Sequence, residues 1–164
     1  MKIQSIQNFS FKGMPNNYAK VDKYVSRSAQ PQKDDFVWLK EQGVTDIINF
    51  RTMFIEDVDF SEEAEVKNVG MTYHNIPSQT KKPTEENITN FLKIIENIKT
   101  KGGKAHIHCK AGADRTGMYA FIYKALNKIG TLAENEKEWL DRGHNTKLYP
   151  DLRAWTKNFL KTLK

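Results

Sequence analysis

The chain has 164 residues, of which 38% are hydrophobic and 28% charged. That balance suits one globular domain and excludes a disordered or fibrous chain. Lys and Arg number 26 against 20 Asp and Glu, so the net charge is +6 and the expected partners are anions. No basic block is dense enough for a nucleic-acid arm, but peripheral contact with an acidic lipid surface is compatible with the charge. A single cysteine excludes an internal disulfide and any multi-cysteine metal motif. With no long apolar run and no signal-like h-region, the expected compartment is the cytoplasm. A secreted effector delivered without a cleaved signal would have the same composition.

Residues 1–20 are polar and read as a loosely ordered leader, with Ile3, Ile6, Phe9 and Phe11 as possible anchors to the body. Residues 21–164 read as the working domain. A short strand is expected at Tyr24–Arg27 and a helix at Lys33–Gln42, stopped by Gly43. The β-branched run Val44–Phe50 predicts a buried strand. Ser61 caps a helix to about Asn68, with Glu62 and Glu63 favouring its positive end. Met71–Ile76 is the next strand. Thr84 opens the strongest helix, whose Ile88, Phe91, Leu92, Ile95 and Ile98 recur at helical spacing. Lys104–His108 is a short strand and Arg115–Ile129 a helix. Thr131 and Glu134 form a capping box, and Pro150 opens the last helix. Strands alternating with helices predict an α/β fold: a mostly parallel central sheet of four to five strands flanked by helices.

Ligands of such sheets sit at the carboxyl ends of strands. One segment there carries chemistry, HIHCKAGADRTG (His106–Gly117). A glycine-bearing loop between a strand and a helix can turn successive amides inward as an anion nest. The helix start adds free N–H groups, and Arg115 adds a planar fork for two phosphate oxygens. Lys110, Ala111, Gly112, Ala113, Asp114 and Arg115 would therefore line a cup for a tetrahedral dianion. Cys109 at its floor would be favoured as a thiolate and could attack phosphorus. No metal or cofactor is expected, because Arg115 and the loop amides supply the charge. His106, His108 and Cys109 offer too few ligands for a zinc site. His106 reads as a half-buried strand residue, and His74 and His144 carry no pattern. Met14, Met53, Met71 and Met118 read as core filler.

His108, Cys109, Arg115 and Thr116 match in order and spacing the H-C-x5-R-[ST] signature, so the chain resembles the protein tyrosine phosphatase superfamily. The resemblance implies the cysteine phosphatase fold. It makes Cys109 the nucleophile and Arg115 the phosphate clamp. Thr116 would assist departure of the thiolate, and His108 would organise the loop. SRSAQP (Ser26–Pro31) followed by DIINFR (Asp46–Arg51) resembles the atypical dual-specificity phosphatases of plants and fungi, with Phe50 in place of their usual leucine.

Two departures bear on mechanism and substrate. No Asp lies between Met71 and Cys109, where the family often keeps its general acid. Asp114 is the nearest candidate, in a D-R-T arrangement that resembles the myotubularin-type lipid phosphatases. It could equally be a carboxylate that braces the loop. Glu56, Asp57 and Asp59 are weaker alternatives. Lys110, directly after the cysteine, resembles the tensin-homologue phosphoinositide phosphatases, and Lys81 and Lys82 could reach the same mouth. The expected partner is thus a phosphorylated substrate: an inositol phosphate, a phosphoinositide or a phosphotyrosine protein. A pseudophosphatase that binds such ligands without turnover is the alternative, and a rhodanese-like sulfur carrier ranks behind both.

Overall fold

The computed structural model describes residues 13–52 and 58–163. The expected anchors Ile3, Ile6, Phe9 and Phe11 lie outside the described residues, as do Met53, Glu56 and Asp57. Among the described residues there are five strands: β1 (Ala19–Lys20), β2 (Val25–Ser28), β3 (Asp46–Asn49), β4 (Thr72–Asn75) and β5 (Ala105–His108). They form one sheet in the order β1-β2-β5-β3-β4, antiparallel only at β1–β2. The strand that carries the signature, β5, is therefore central, and its carboxyl end opens between those of β2 and β3.

Six helices are described: α1 (Asp35–Glu41), α2 (Glu62–Asn68), α3 (Glu85–Thr100), α4 (Arg115–Leu126), α5 (Leu132–Asp141) and α6 (Leu152–Thr162). The sheet divides the apolar residues in two. Ile47 meets Phe36 and Leu39 of α1 and Val66 of α2. Its neighbour Ile48 belongs with Ile107, Phe91 and Tyr119 on the face under α3 and α4, as the two-residue strand period requires. α3 buries Ile88, Phe91, Ile95 and Ile98, each contributing roughly 1.5–3 kcal/mol relative to exposure. Phe50 stacks on Tyr119 with centroids 3.8 Å apart and meets Phe91 edge-on, so an aromatic triad fills the leucine position.

Four expectations are corrected. Ala19 and Lys20, assigned to the leader, pair with Arg27 and Ser26. α4 ends at Leu126 rather than Ile129, because Lys128 takes a left-handed conformation at φ 55 and breaks the helical ladder. Met14 is 42% exposed and fills no core. His106 is fully buried. Its two ring nitrogens meet Ser26 Oγ at 2.8 Å and Ser28 Oγ at 2.7 Å. Burial, with the charge of His108 behind it, holds His106 well below the usual histidine range. It is a neutral bridge within the sheet.

Candidate active site

The loop from Cys109 to Asp114 leaves the end of β5 and enters α4. Its carbonyls are claimed from outside, one after another. His108 Nδ1 lies 3.1 Å from the Cys109 carbonyl. The Gln30 amide donates to the Lys110 carbonyl at 2.9 Å. Asn17 Nδ2 donates to the carbonyls of Ala111 (3.2 Å) and Gly112 (3.4 Å). Arg27 Nη2 donates to Gly112 at 2.8 Å. In a planar trans peptide the N–H points opposite to the C=O, so carbonyls held outward turn the amides of Ala111, Gly112 and Ala113 inward. Among the described residues these three amides meet no backbone acceptor. An inward ring of unpaired N–H groups is an anion nest.

Local packing explains the sequence of the loop. Gly112 has φ +70, and a Cβ there would lie 2.5 Å from the backbone of Ser28 and Ala29. Only glycine lets the loop rest on the end of β2. The Ser26–Pro31 segment is thus the loop's support: Arg27 and Gln30 bond its carbonyls, and Ser28 and Ala29 form its floor. Arg27 is 1% exposed. Burial pulls it down to about 10, opposed by Glu138 and by Cys109. It remains a cation at neutral pH and adds positive field near the sulfur.

Cys109 is 2% exposed. Arg115 opens α4 and is only half-buried. Its Nη1 reaches the carbonyls of Phe50 and Ser78 at 3.4 Å each, bonds long enough to yield to a better acceptor. Thr116 Oγ1 is buried and bonds no described residue. Asp114 is the N-cap of α4 without capping it. Its Oδ1 instead accepts from His144 Nδ1 at 2.6 Å and from the Asn145 amide at 2.8 Å. Both donors converge on Oδ1. Asp59, a weaker candidate acid, is exposed.

Behind the loop lies a charge pair the sequence did not disclose. Glu62, the first residue of α2, is 2% exposed, and its Oε1 lies 2.6 Å from His108 Nε2. Asn49 and Gln30 donate to the same carboxylate. Burial alone would raise Glu62, but the charge of His108 and these hydrogen bonds outweigh it and hold the carboxyl below the usual range. The two His108 nitrogens lie beside a carbonyl and a carboxylate, Nδ1 at 3.1 Å from the first and Nε2 at 2.6 Å from the second. In sequence Glu62 looked like an ordinary first-turn acid. His144 had no local signal at all, because it meets Asp114 from 30 residues downstream.

Lys110 is exposed at the loop. Lys81 and Lys82 are exposed on the 77–83 segment, whose Ser78 carbonyl touches Arg115. Lys81 lines a cavity of about 240 Å3 with Leu148, Tyr149 and Trp155. Among the described residues no group of three His, Cys, Asp or Glu side chains could hold a metal ion, and no helix is long and apolar enough to cross a membrane.

A family model described as "Polymorphic toxin system, DSP-PTPase phosphatase" matches residues 22–126. The fold is that of several solved structures. A DUF442 protein of Shewanella putrefaciens CN-32 aligns with TM-score 0.75 and 24% identity, over 96% of both chains. TpbA of P. aeruginosa in complex with pTyr aligns with TM-score 0.70 and 16% identity, over 85% of this chain and 82% of that one. The core catalytic domain of the PP-IP phosphatase Siw14 of S. cerevisiae, in complex with citrate, aligns with TM-score 0.67 and 20% identity, over 90% and 85%. The chain spans about a quarter of the length of the curated relatives it matches.

Proposed function

The chain belongs to the DSP-PTPase phosphatases of polymorphic toxin systems, and from that premise we propose that it hydrolyses phosphomonoesters through a cysteinyl-phosphate on Cys109. The observation that carries this reading is the loop whose outward carbonyls turn three amides toward a buried sulfur, with Arg115 loosely parked at its rim.

The substrate's phosphoryl group enters the cup and Arg115 leaves its two carbonyls for two phosphate oxygens. The thiolate of Cys109 attacks phosphorus as the ester P–O bond breaks. The inward amides and Arg115 hold the equatorial oxygens through the transition state, where they act most strongly. The departing oxygen takes a proton from Asp114, whose Oδ1 is fixed by two donors so that Oδ2 is the atom that delivers it. Water then attacks the cysteinyl-phosphate, with Asp114 taking up a proton, and inorganic phosphate is released with the thiolate. Thr116 Oγ1, buried and unengaged, is suited to hydrogen-bond that leaving sulfur. Arg115 and the amides carry the charge, so no cofactor enters the scheme.

Lys110, Lys81 and Lys82 favour a substrate with several phosphates, an inositol phosphate or phosphoinositide. A phosphotyrosine protein, like the pTyr bound by TpbA, is the second class. Purified protein should release phosphate from p-nitrophenyl phosphate, resist chelator, and lose activity in Cys109→Ser and Arg115→Ala. Chelator-sensitive activity that survives Cys109→Ser sinks the reading. A panel of inositol phosphates, phosphoinositides and phosphopeptides ranks the substrate classes. Asp114→Asn should slow an alkyl phosphate about 100-fold while sparing the activated aryl ester. Equal losses would leave Asp114 a brace only. Tight vanadate binding with turnover no faster than Cys109→Ser is the signature of the pseudophosphatase.

A further inference from the structure

Asn17 lies upstream of the family match at residues 22–126, in the stretch whose composition suggested a loose leader. It sits instead against the active loop. Its Nδ2 donates to the carbonyls of Ala111, Gly112 and Arg142 at 3.2, 3.4 and 3.1 Å. Its Oδ1 accepts from Arg142 Nη1 at 3.1 Å, which fixes which end of the amide faces the loop. The neighbouring Asn16 carbonyl accepts the Ala29 amide at 2.9 Å, tying the same segment to the floor beneath Gly112. Asn17 adopts φ 56, a left-handed conformation that asparagine tolerates better than most side chains.

We propose that Asn17 is a positioning residue of the phosphate cup: by holding the carbonyls of Ala111 and Gly112 outward, it keeps the amides of Gly112 and Ala113 aimed at the bound oxyanion. It touches no substrate. Its effect passes through peptide planarity, since a carbonyl that rotates inward takes the following N–H out of the nest. Serine or alanine could not reproduce the link. The first offers a single, shorter-reaching O–H in place of two N–H donors and a carbonyl, and the second has no polar atom. The N-terminal lead-in is then part of the working site, and shortening the chain to the family-matched stretch removes one side of the cup's support.

The proposal rests on the phosphatase reading, and the test separates the two. Asn17→Asp keeps the acceptor for Arg142 and removes both N–H donors. Asn17→Gly keeps the backbone conformation without strain and removes the whole amide. Tungstate binding by calorimetry needs no turnover. Both variants should bind tungstate about 10-fold more weakly and lose a similar factor in kcat/KM for p-nitrophenyl phosphate. The pH midpoint for alkylation of Cys109 should also move upward, while circular dichroism stays native. A purely structural role would lower the melting temperature without moving the alkylation midpoint. Unchanged tungstate affinity and an unchanged alkylation profile in folded Asn17→Asp and Asn17→Gly overturn the proposal and leave the phosphatase reading standing. Asn17-dependent tungstate binding without turnover supports the proposal and removes the catalytic reading. A wild-type protein that binds no tungstate overturns both.

Discussion

Glu62 shows how much of the site's electrostatics sits one layer behind the residues that meet substrate. Its carboxylate lies 2.6 Å from His108, the residue before Cys109. Removing one partner of a buried pair leaves the other uncompensated, typically at about 3–5 kcal/mol. Glu62→Gln should therefore lower the denaturation midpoint and also reduce kcat/KM, through misplacement of His108. The pH dependence has a fixed sign. Glu62 is held below its ordinary value in the folded chain, so its stabilisation is full above the unfolded glutamate value of about 4.3 and fades as pH falls toward the lower folded value. The variant should lose less stability than wild type over that acid window. Equal acid titrations of stability would remove the pair from the account.

Between elements, the contact that seats α4 against α5 is a glycine under a tryptophan. A Cβ on Gly117 would lie 2.2 Å from the Trp139 ring. Trp139 is 1% exposed and packs on Phe121 and on His144, the histidine that holds Asp114. Gly117 is thus required by helix packing, whereas Gly112 serves the turn of the loop. Gly117→Ala should cost about 1–3 kcal/mol by overpacking, shift tryptophan emission, and disturb the Asp114–His144 pair as Trp139 moves. Urea denaturation followed by fluorescence checks it, and an unchanged midpoint would contradict the packing. Element boundaries were readable where caps are chemical. Ser61, Thr84 and Thr131 each accept from the third residue beyond, as their sequences implied. The end of α4 was not readable, because Lys128 at positive φ carries no mark in the sequence.

At the scale of the molecule, the net charge of +6 gives polyanions a long-range advantage that salt removes, the screening length being about 10 Å at 0.1 M. Stopped-assay kcat/KM for an inositol polyphosphate should fall with added salt more steeply than for p-nitrophenyl phosphate. Parallel decline for the two substrates would argue against Lys81, Lys82 and Lys110 as a polyphosphate rim. The same scale governs the central place of β5. Flanked by β2 and β3, it delivers the loop to a point where the 16–31 segment, α2, the 77–83 segment and the turn after α5 all reach it.

The sequence by itself determined the class of fold, the four parallel strands of the sheet in outline and the motif from His108 to Thr116, because period, caps and a contiguous signature are local properties of a chain; the edge strand at Ala19–Lys20 was not among them. Only the tertiary structure decided what holds that motif in shape. Asn17, Arg27, Glu62 and His144 come from four separate stretches and act through the outward carbonyls, a buried charge and one carboxylate oxygen. Those are relations across space, and no residue spacing encodes them.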